Sequence, residues 1–323
     1  MTLSRRTLLG WVMLLAVPAT GTAQPSKGLP RIGWISTEPE PDPFLDGFRE
    51  GLRQQGWIEG QNVLLQVRHA PGRLDDLRQA VTEMITQGVA FIVSSGPATR
   101  VVRGAENVTV LFAISGDPVE LGIATSVARP GRNFTGMTFL SLEIAGKRVE
   151  LLKQAVPKLR TLAVLSNTDH PGERSERQAT EAAAKALGLT VAYVPFVGLG
   201  QLDGALAVVR DARADGMVVF PEGATMVSRA KLAAFAIAQR LPTMFGWNEY
   251  ADAGGLMSYG ANQRETYVRL ATYADRLLRG AKPGDLPIEL PTRFELVVNA
   301  ATARLLGLTI PPTISAIATR VIE

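Results

Sequence analysis

The sequence contains no cysteine, which excludes disulfides, thiolate metal sites, a cysteine nucleophile and the lipid-bearing cysteine of a lipoprotein anchor. Histidine is scarce as well: only His69 and His170 occur, in different halves of the chain, and neither has a ligand-type residue at metal spacing. No segment reads G-x-x-x-x-G-K-[ST], so a phosphate-cradling P-loop is absent. GLGQLDG (198–204) approaches a dinucleotide fingerprint, but its last interval holds three residues where two are required. GLMSYG (255–260) approaches a nucleophile elbow, but Ser258 lies three positions after Gly255 instead of two. Acid and amide residues abound without a spacing that demands catalysis. The chain therefore reads as a non-enzyme with no cofactor and no metal. A hydrolase ranks last among the readings for want of a nucleophile–base constellation.

Charge of one sign is also missing. The formal net charge is +4, and removing Arg5 and Arg6 with the export segment described next leaves 32 basic against 30 acidic residues. That balance provides no electrostatic footprint for nucleic acid. Residues 1–23 have the order of an export signal: Arg5 and Arg6, an apolar run from Leu8 to Ala19, then small residues at Gly21, Thr22 and Ala23. The run is shorter than the roughly twenty residues a membrane-spanning helix needs. SRRTLLG resembles a twin-arginine signal, which exports folded proteins, and an ordinary secretory signal is the alternative. Both routes lead to a soluble periplasmic protein beginning near Gln24.

From Arg31 onward, short β-rich runs alternate with stretches of helical period, the mark of parallel α/β architecture. The strands are RIGWIS (31–36), NVLLQVRHA (62–70), AFIVSS (90–95) and TVLFAIS (109–115), then TLAVLSN (161–167), TVAYVPFV (190–197), GMVVF (216–220) and TMFGW (243–247). Phe44, Phe48 and Leu52 mark one face of a first helix, and Leu74, Leu77, Val81, Met84 and Ile85 mark a second. Later helices fall near 141–156, 172–187, 201–213 and 224–240, with Leu270, Ala274, Leu277 and Leu278 marking another. Two βα series predict two lobes, 31–137 plus 258–284 and 138–257 plus 285–323. The chain would cross between them at NFTGMTF (133–139), GLMSYG (255–260) and IELPTRFELVVN (288–299). No internal repeat, low-complexity tract or charge block interrupts this layout.

Open parallel sheets bind ligands beyond the carboxyl ends of their strands. In the first series those ends carry Ser36, Thr37, Ser95, Gly96, Ser115 and Asp117, and in the second Asn167, Glu222, Trp247 and Asn248. Small hydroxyl and glycine residues opening a helix leave backbone N–H groups free for an anionic group. Asp117 or Glu222 can face a ligand ammonium, and Trp247 or Tyr250 can pack on an apolar ligand body. Each also has a structural reading. Asp117 before Pro118 fits a helix N-cap, Glu222 can complement a helix dipole, the serines can form turns, and Trp247 can be core or hinge packing.

Six extended motifs carry a family likeness: PFLDGFREGLRQQGWIEGQNV (43–63), FAISGDPVELG (112–122), ARPGRNFTGMTFL (128–140), GKRVELLKQAVPKL (146–159), AGGLMSYGANQ (253–263) and PTRFELVVNAATARLLGLTIPP (291–312). On these the chain resembles, over 31–323, the ABC transporter substrate-binding proteins that include tryptophan- and tyrosine-uptake components. The resemblance implies a two-lobed type I periplasmic-binding-protein fold, with three crossover strands and hinge closure on a small molecule. It implies a monomer serving a membrane permease of an ABC importer, its ligand an amino acid or related carboxylate. An extracytoplasmic sensory subunit is the alternative. Where relatives often have a basic residue before Glu-aromatic, this chain has Trp247-Asn248-Glu249-Tyr250.

Overall fold

The computed structural model describes residues 28–71, 73–139 and 141–323, and the export segment lies outside the described residues. The chain forms two α/β units. In the first, strands β1 (Arg31–Ser36), β2 (Leu64–His69), β3 (Phe91–Ser95), β4 (Thr109–Ile114) and β5 (Phe134–Thr138) alternate with helices α1 (Pro43–Gln54), α2 (Leu74–Thr86) and α3 (Thr99–Val102). They make an all-parallel sheet in the order β2-β1-β3-β4-β5. Five of the six residues of β1 and all of β3 are buried, as a strand covered on both faces requires.

Helix α1 starts where the sequence stops competing with it. Asp42 Oδ1 accepts from the Phe44 and Leu45 amides at 2.9 and 3.3 Å, and Pro43 occupies the first turn, where no amide is needed. Its buried face, Phe44, Phe48 and Leu52, is the stripe expected from spacing. Gly51 lets another helix come close: a Cβ there would lie 2.6 Å from Ala271 Cβ. A helical glycine costs about 1 kcal/mol relative to alanine, offset here by the close packing it permits.

The second unit contains α4 (Ser141–Ala155), β6 (Thr161–Asn167), α5 (Glu173–Ala186), β7 (Thr190–Phe196), α6 (Leu202–Asp211), β8 (Gly216–Val219), α7 (Gly223–Val227), α8 (Arg229–Ala238), β9 (Thr243–Phe245), α9 (Asn248–Asp252) and β10 (Met257–Gly260). Helix α10 (Gln263–Leu278) then packs back on α1, before β11 (Glu295–Asn299), α11 (Ala300–Leu305), α12 (Pro312–Ile317) and β12 (Arg320–Ile322) complete the second unit. The second sheet runs β12-β11-β10-β9-β8-β6-β7, parallel except for the β10–β11 pair. The helix expected over 224–240 is two helices, broken at Ser228.

Two of the expected lobe boundaries move, while the third crossing falls within the expected 288–299. Met257–Gly260 pairs with β9 on one side and β11 on the other, so residues 258–260 belong to the second sheet and the chain leaves it only after Gly260. Residues 286–289 lie along β5: the Thr135 hydroxyl donates to the Leu286 carbonyl at 2.9 Å, and the Glu289 amide donates to the Gly136 carbonyl at 3.0 Å. The chain therefore returns after Glu289, not at 285. In both cases backbone pairing outranks the glycine and proline punctuation on which the boundaries were drawn.

Each sheet reverses its strand order once, between β1 and β3 and between β6 and β8. A crevice opens beyond the strand ends at such a switch point. The two crevices face one another, and one buried apolar cluster runs from Trp34 and Phe48 in the first unit through Phe44, Phe139 and Tyr267 to Trp247 and Tyr250 in the second.

Candidate functional site

The first wall is built by the turn after β1. Ser36 Oγ accepts from the Glu38 amide at 3.0 Å, and His69 Nδ1 lies 2.9 Å from the Glu38 carbonyl. Held at both backbone groups, Glu38 turns its side chain inward. It is 4 % exposed, and its Oε2 has no hydrogen-bond partner. Burial pushes its pKa well above the usual carboxylate range; the nearby charges of Glu222 and Asp42 push the same way, and the Thr37 hydroxyl opposes them. At the end of β3, Ser95 Oγ and Tyr267 Oη share a 2.5 Å hydrogen bond. Burial raises the Tyr267 phenol, so neither partner offers a base at neutral pH.

The second wall centres on Glu222, which caps α7. Its Oε1 accepts from the Thr225 amide at 2.7 Å, and its Oε2 accepts from the Ala224 amide at 2.9 Å and Asn167 Nδ2 at 3.1 Å. Burial raises its pKa, and the capping amides and Asn167 pull it back. Above it stand aromatic rings from both units. Phe44 and Tyr267 stack with centroids 4.9 Å apart, Trp247 meets Phe44 edge-on at 5.8 Å, and Phe139 meets Trp247 at 6.1 Å. Behind this wall His170 Nε2 lies 3.1 Å from Glu176 Oε2, and Arg148 Nη1 lies 3.5 Å from Glu176 Oε1, all three fully or almost fully buried.

Two spaces lie between the units. An inner chamber of about 20 Å³ is lined by Glu38, Phe44, Ser95, Gly96, Ser115, Phe139, His170, Glu222, Trp247 and Tyr267, with Pro97 and Gly223. An outer cavity of about 530 Å³ reaches solvent past Thr37, Asp75, Arg78, Asn167, Asp169 and Val197–Gly200. Pro97 and Glu222 border both. The inner chamber has room for about one water, so a solute enters it only when the units part.

Of the residues expected from sequence, Ser95, Gly96, Ser115, Glu222 and Trp247 converge on the inner chamber, and Thr37 and Asn167 on the outer cavity. Three others are occupied elsewhere. Ser36 shapes the Glu38 turn. Asp117 caps the turn after β4, accepting from the Val119 amide at 2.7 Å. Asn248 Nδ2 donates to Glu295 Oε2 at 2.9 Å, and Asn262 Nδ2 donates to Glu295 as well, so this trio joins α9, α10 and β11 where the chain crosses. Tyr250 lies one layer deeper, bonded to Thr225 Oγ1 at 2.7 Å. Glu38, Phe44, Phe139, His170 and Tyr267 were not anticipated. Among the described residues no group of three or more histidines and carboxylates is gathered for a metal ion, and no helix is long and apolar enough to cross a membrane.

A family model described as ABC transporter substrate binding protein matches residues 35–322. A protein named "Tyrosine-binding protein" from Clostridioides difficile (strain R20291) is 20 % identical over 280 residues, 86 % of this chain and 80 % of that protein. Among solved structures, an ABC domain in complex with L-Trp from Streptococcus pneumonia superposes with a TM-score of 0.83 at 22 % identity, covering 91 % of this chain and all of the other. A conserved domain protein of Vibrio cholerae reaches 0.82 at 22 % identity, covering 90 % and 98 % of the two chains. A ligand-free, open substrate binding protein with adhesive properties from Clostridium difficile reaches 0.63 at 19 % identity, covering 91 % and 100 %.

Proposed function

The chain belongs to the ABC transporter substrate binding protein family, and on that premise we propose that it is an exported solute-binding component that captures a small, aromatic-bodied ligand between its lobes and delivers it to a membrane permease. One observation carries this reading: the inner chamber is walled by aromatic rings and buried polar groups contributed by both units. Phe44, Phe139 and Tyr267 come from the first unit and its crossing, Trp247 and Glu222 from the second. A ligand that places its head group there and extends past Pro97 and Glu222 into the outer cavity gains its full set of contacts only when the units meet. Binding then selects the closed arrangement. The relatives named for tyrosine and crystallised with L-Trp make aromatic amino acids the first candidates.

Closure is a rotation about the three crossings. The Glu295 carboxylate, gripping Asn248 and Asn262, ties two of them and gives the hinge a polar knot that survives the motion. Arg100 closes the rim from the opposite unit, its Nη1 lying 3.3 Å from Asp169 Oδ1, in an exposed pair that contributes little energy and defines the closed register.

Thermal-shift measurement with L-tyrosine, L-tryptophan and L-phenylalanine tests the reading. A ligand present at a hundred times its Kd, bound only by the folded state, contributes about 2.7 kcal/mol, or an upward melting shift of about 4 °C. No shift with any aromatic or other amino acid, together with an unchanged radius of gyration in their presence, would defeat the proposal.

A further inference from the structure

We infer that Glu38 is the seat of the ligand's positive charge, and that the chamber is built for the ammonium group of an aromatic amine, with a ligand carboxylate dispensable. This deepens the proposed function and rests on the chamber being the ligand site.

The charge inventory of the chamber points one way. Its lining includes two carboxylates, Glu38 and Glu222, and one imidazole, His170, and neither lysine nor arginine is among the lining residues. The His170 ring is already matched by Glu176 at 3.1 Å. The nearest guanidinium behind the wall, Arg148, sits against Glu176 and donates its Nε to the Tyr259 carbonyl at 2.8 Å. Within the inner chamber a ligand carboxylate would therefore meet hydroxyls and no cation, close to two carboxyl groups, and Arg78 lines only the outer cavity.

The two carboxylates are not equivalent. Glu222 spends both oxygens on α7 amides and Asn167. Glu38 Oε2 is buried and unpartnered, on a residue 96 % removed from solvent. A buried acceptor with no donor is costly and is rarely left so. Its carboxylate reaches across the seam to the second unit: a Cβ on Gly223 would fall 2.6 Å from Glu38 Oε2 and overlap the rest of the group. Aromatic side chains line the same chamber, Phe44 and Tyr267 on its own side and Trp247 opposite. A carboxylate among aromatic faces is the arrangement that holds an organic cation. The anion supplies the charge-assisted hydrogen bond to the ammonium group, and the neighbouring rings supply cation–π attraction. Closing Glu38 against Glu222 without a cation makes ionising either carboxyl more costly, and a bridging ammonium removes that cost.

Isothermal titration of the mature protein with four probes, tryptamine, tyramine, L-tryptophan and indole-3-propionate, tests the inference. The expected order is tryptamine or tyramine at least as tight as L-tryptophan, with indole-3-propionate, which keeps the ring and the carboxylate and lacks the ammonium, weaker than the tightest amine by a hundredfold or more. Glu38→Gln should weaken the amine ten- to a hundredfold, the range for a lost hydrogen bond to a charged group. Glu38→Asp should recover part of the loss. Melting curves of both variants establish that they are folded. If the amines bind tenfold or more weaker than L-tryptophan, or Glu38→Gln leaves amine affinity unchanged in a folded protein, the inference is overturned and the proposed function stands. If none of the four binds at millimolar concentration, the inference is overturned with no help from the variants. A positive thermal shift with another amino acid would still preserve the proposed function in that case.

Discussion

Gly172 decides whether the units can close. It precedes α5 with φ −91°, a conformation alanine adopts without strain. Its hydrogen nevertheless faces the opposite unit, where a Cβ would lie 2.9 Å from the Ser115 carbonyl carbon, closer still to the carbonyl oxygen, and 3.3 Å from the Gly116 amide nitrogen. All three atoms are backbone at the end of β4, so no side chain can swing aside, and ordinary contact distance requires the seam to open by about 1 Å. Forcing a methyl group into a packed seam costs about 1–3 kcal/mol. With each 1.4 kcal/mol worth a factor of ten, Gly172→Ala should weaken ligand binding roughly five- to 150-fold. Stability should move the other way. In the open arrangement the methyl is unopposed, and the loss of unfolded-state freedom stabilises the protein by about 0.4–1 kcal/mol. Calorimetric titration for affinity and melting curves without ligand separate these effects. Gly204→Ala is the control, because a Cβ there meets nothing within 4 Å. Affinity within twofold of wild type for Gly172→Ala, with Gly204→Ala equally silent, would refute the closed seam as the binding state.

Glu38→Gln should change stability as well as affinity, and in a pH-dependent way. The folded pKa is raised, so between the unfolded value and the folded one the native state holds the extra proton, and wild-type stability falls as pH rises through that window. The melting-temperature gain of Glu38→Gln should therefore be near zero at pH 4 and positive at pH 7; a gap that does not grow with pH counts against the buried, unpaired carboxylate. Arg148→Met leaves Glu176 buried beside His170 with one partner fewer, and should cost about 3–5 kcal/mol by chemical denaturation; a loss under 1 kcal/mol would mean that water or His170 already satisfies Glu176. Replacing Arg5 and Arg6 by lysine keeps the charge of the export segment and should leave precursor in the cytoplasm if the twin arginines are recognised; normal maturation in fractionated cells would instead assign ordinary secretion.

The alternation of strands and helices was legible because the inner strands are buried on both faces and the helices on one, leaving continuous apolar runs such as TLAVLSN beside stripes such as Phe44, Phe48 and Leu52. The crossing points were less so. GLMSYG has the glycines of a connector, yet Ser258 and Tyr259 are held between two strands whose nearness depends on partners far along the chain. The chamber was legible where it follows from strand ends, at Ser95, Ser115 and Glu222. Its aromatic walls were hidden for a physical reason: Phe44 and Tyr267 occupy helix faces where a ring that covers a ligand and a ring that fills a core have the same period. Glu38 was hidden more deeply. In TEPEPDP (37–43) it looks like one carboxylate of an acidic, proline-rich surface turn, and it becomes buried only because the second unit closes over it.

The return of α10 to the first unit has a consequence for how the protein is made. Leu270, Ala271, Tyr273 and Ala274 complete the apolar cluster over Trp34, Phe48 and Leu111, and Asp275 accepts from Trp57 Nε1 at 2.9 Å. A ribosome delivers β1 to β5 long before residues 263–278 emerge, so the first sheet has one face covered only in part, by α1, while the whole of α4 to β10 is synthesised. Neither unit is a contiguous stretch of sequence, and a cut near residue 139 removes a packing helix along with the partner unit. Assembly of the first unit is thus completed late, by a helix that follows most of the second unit in sequence.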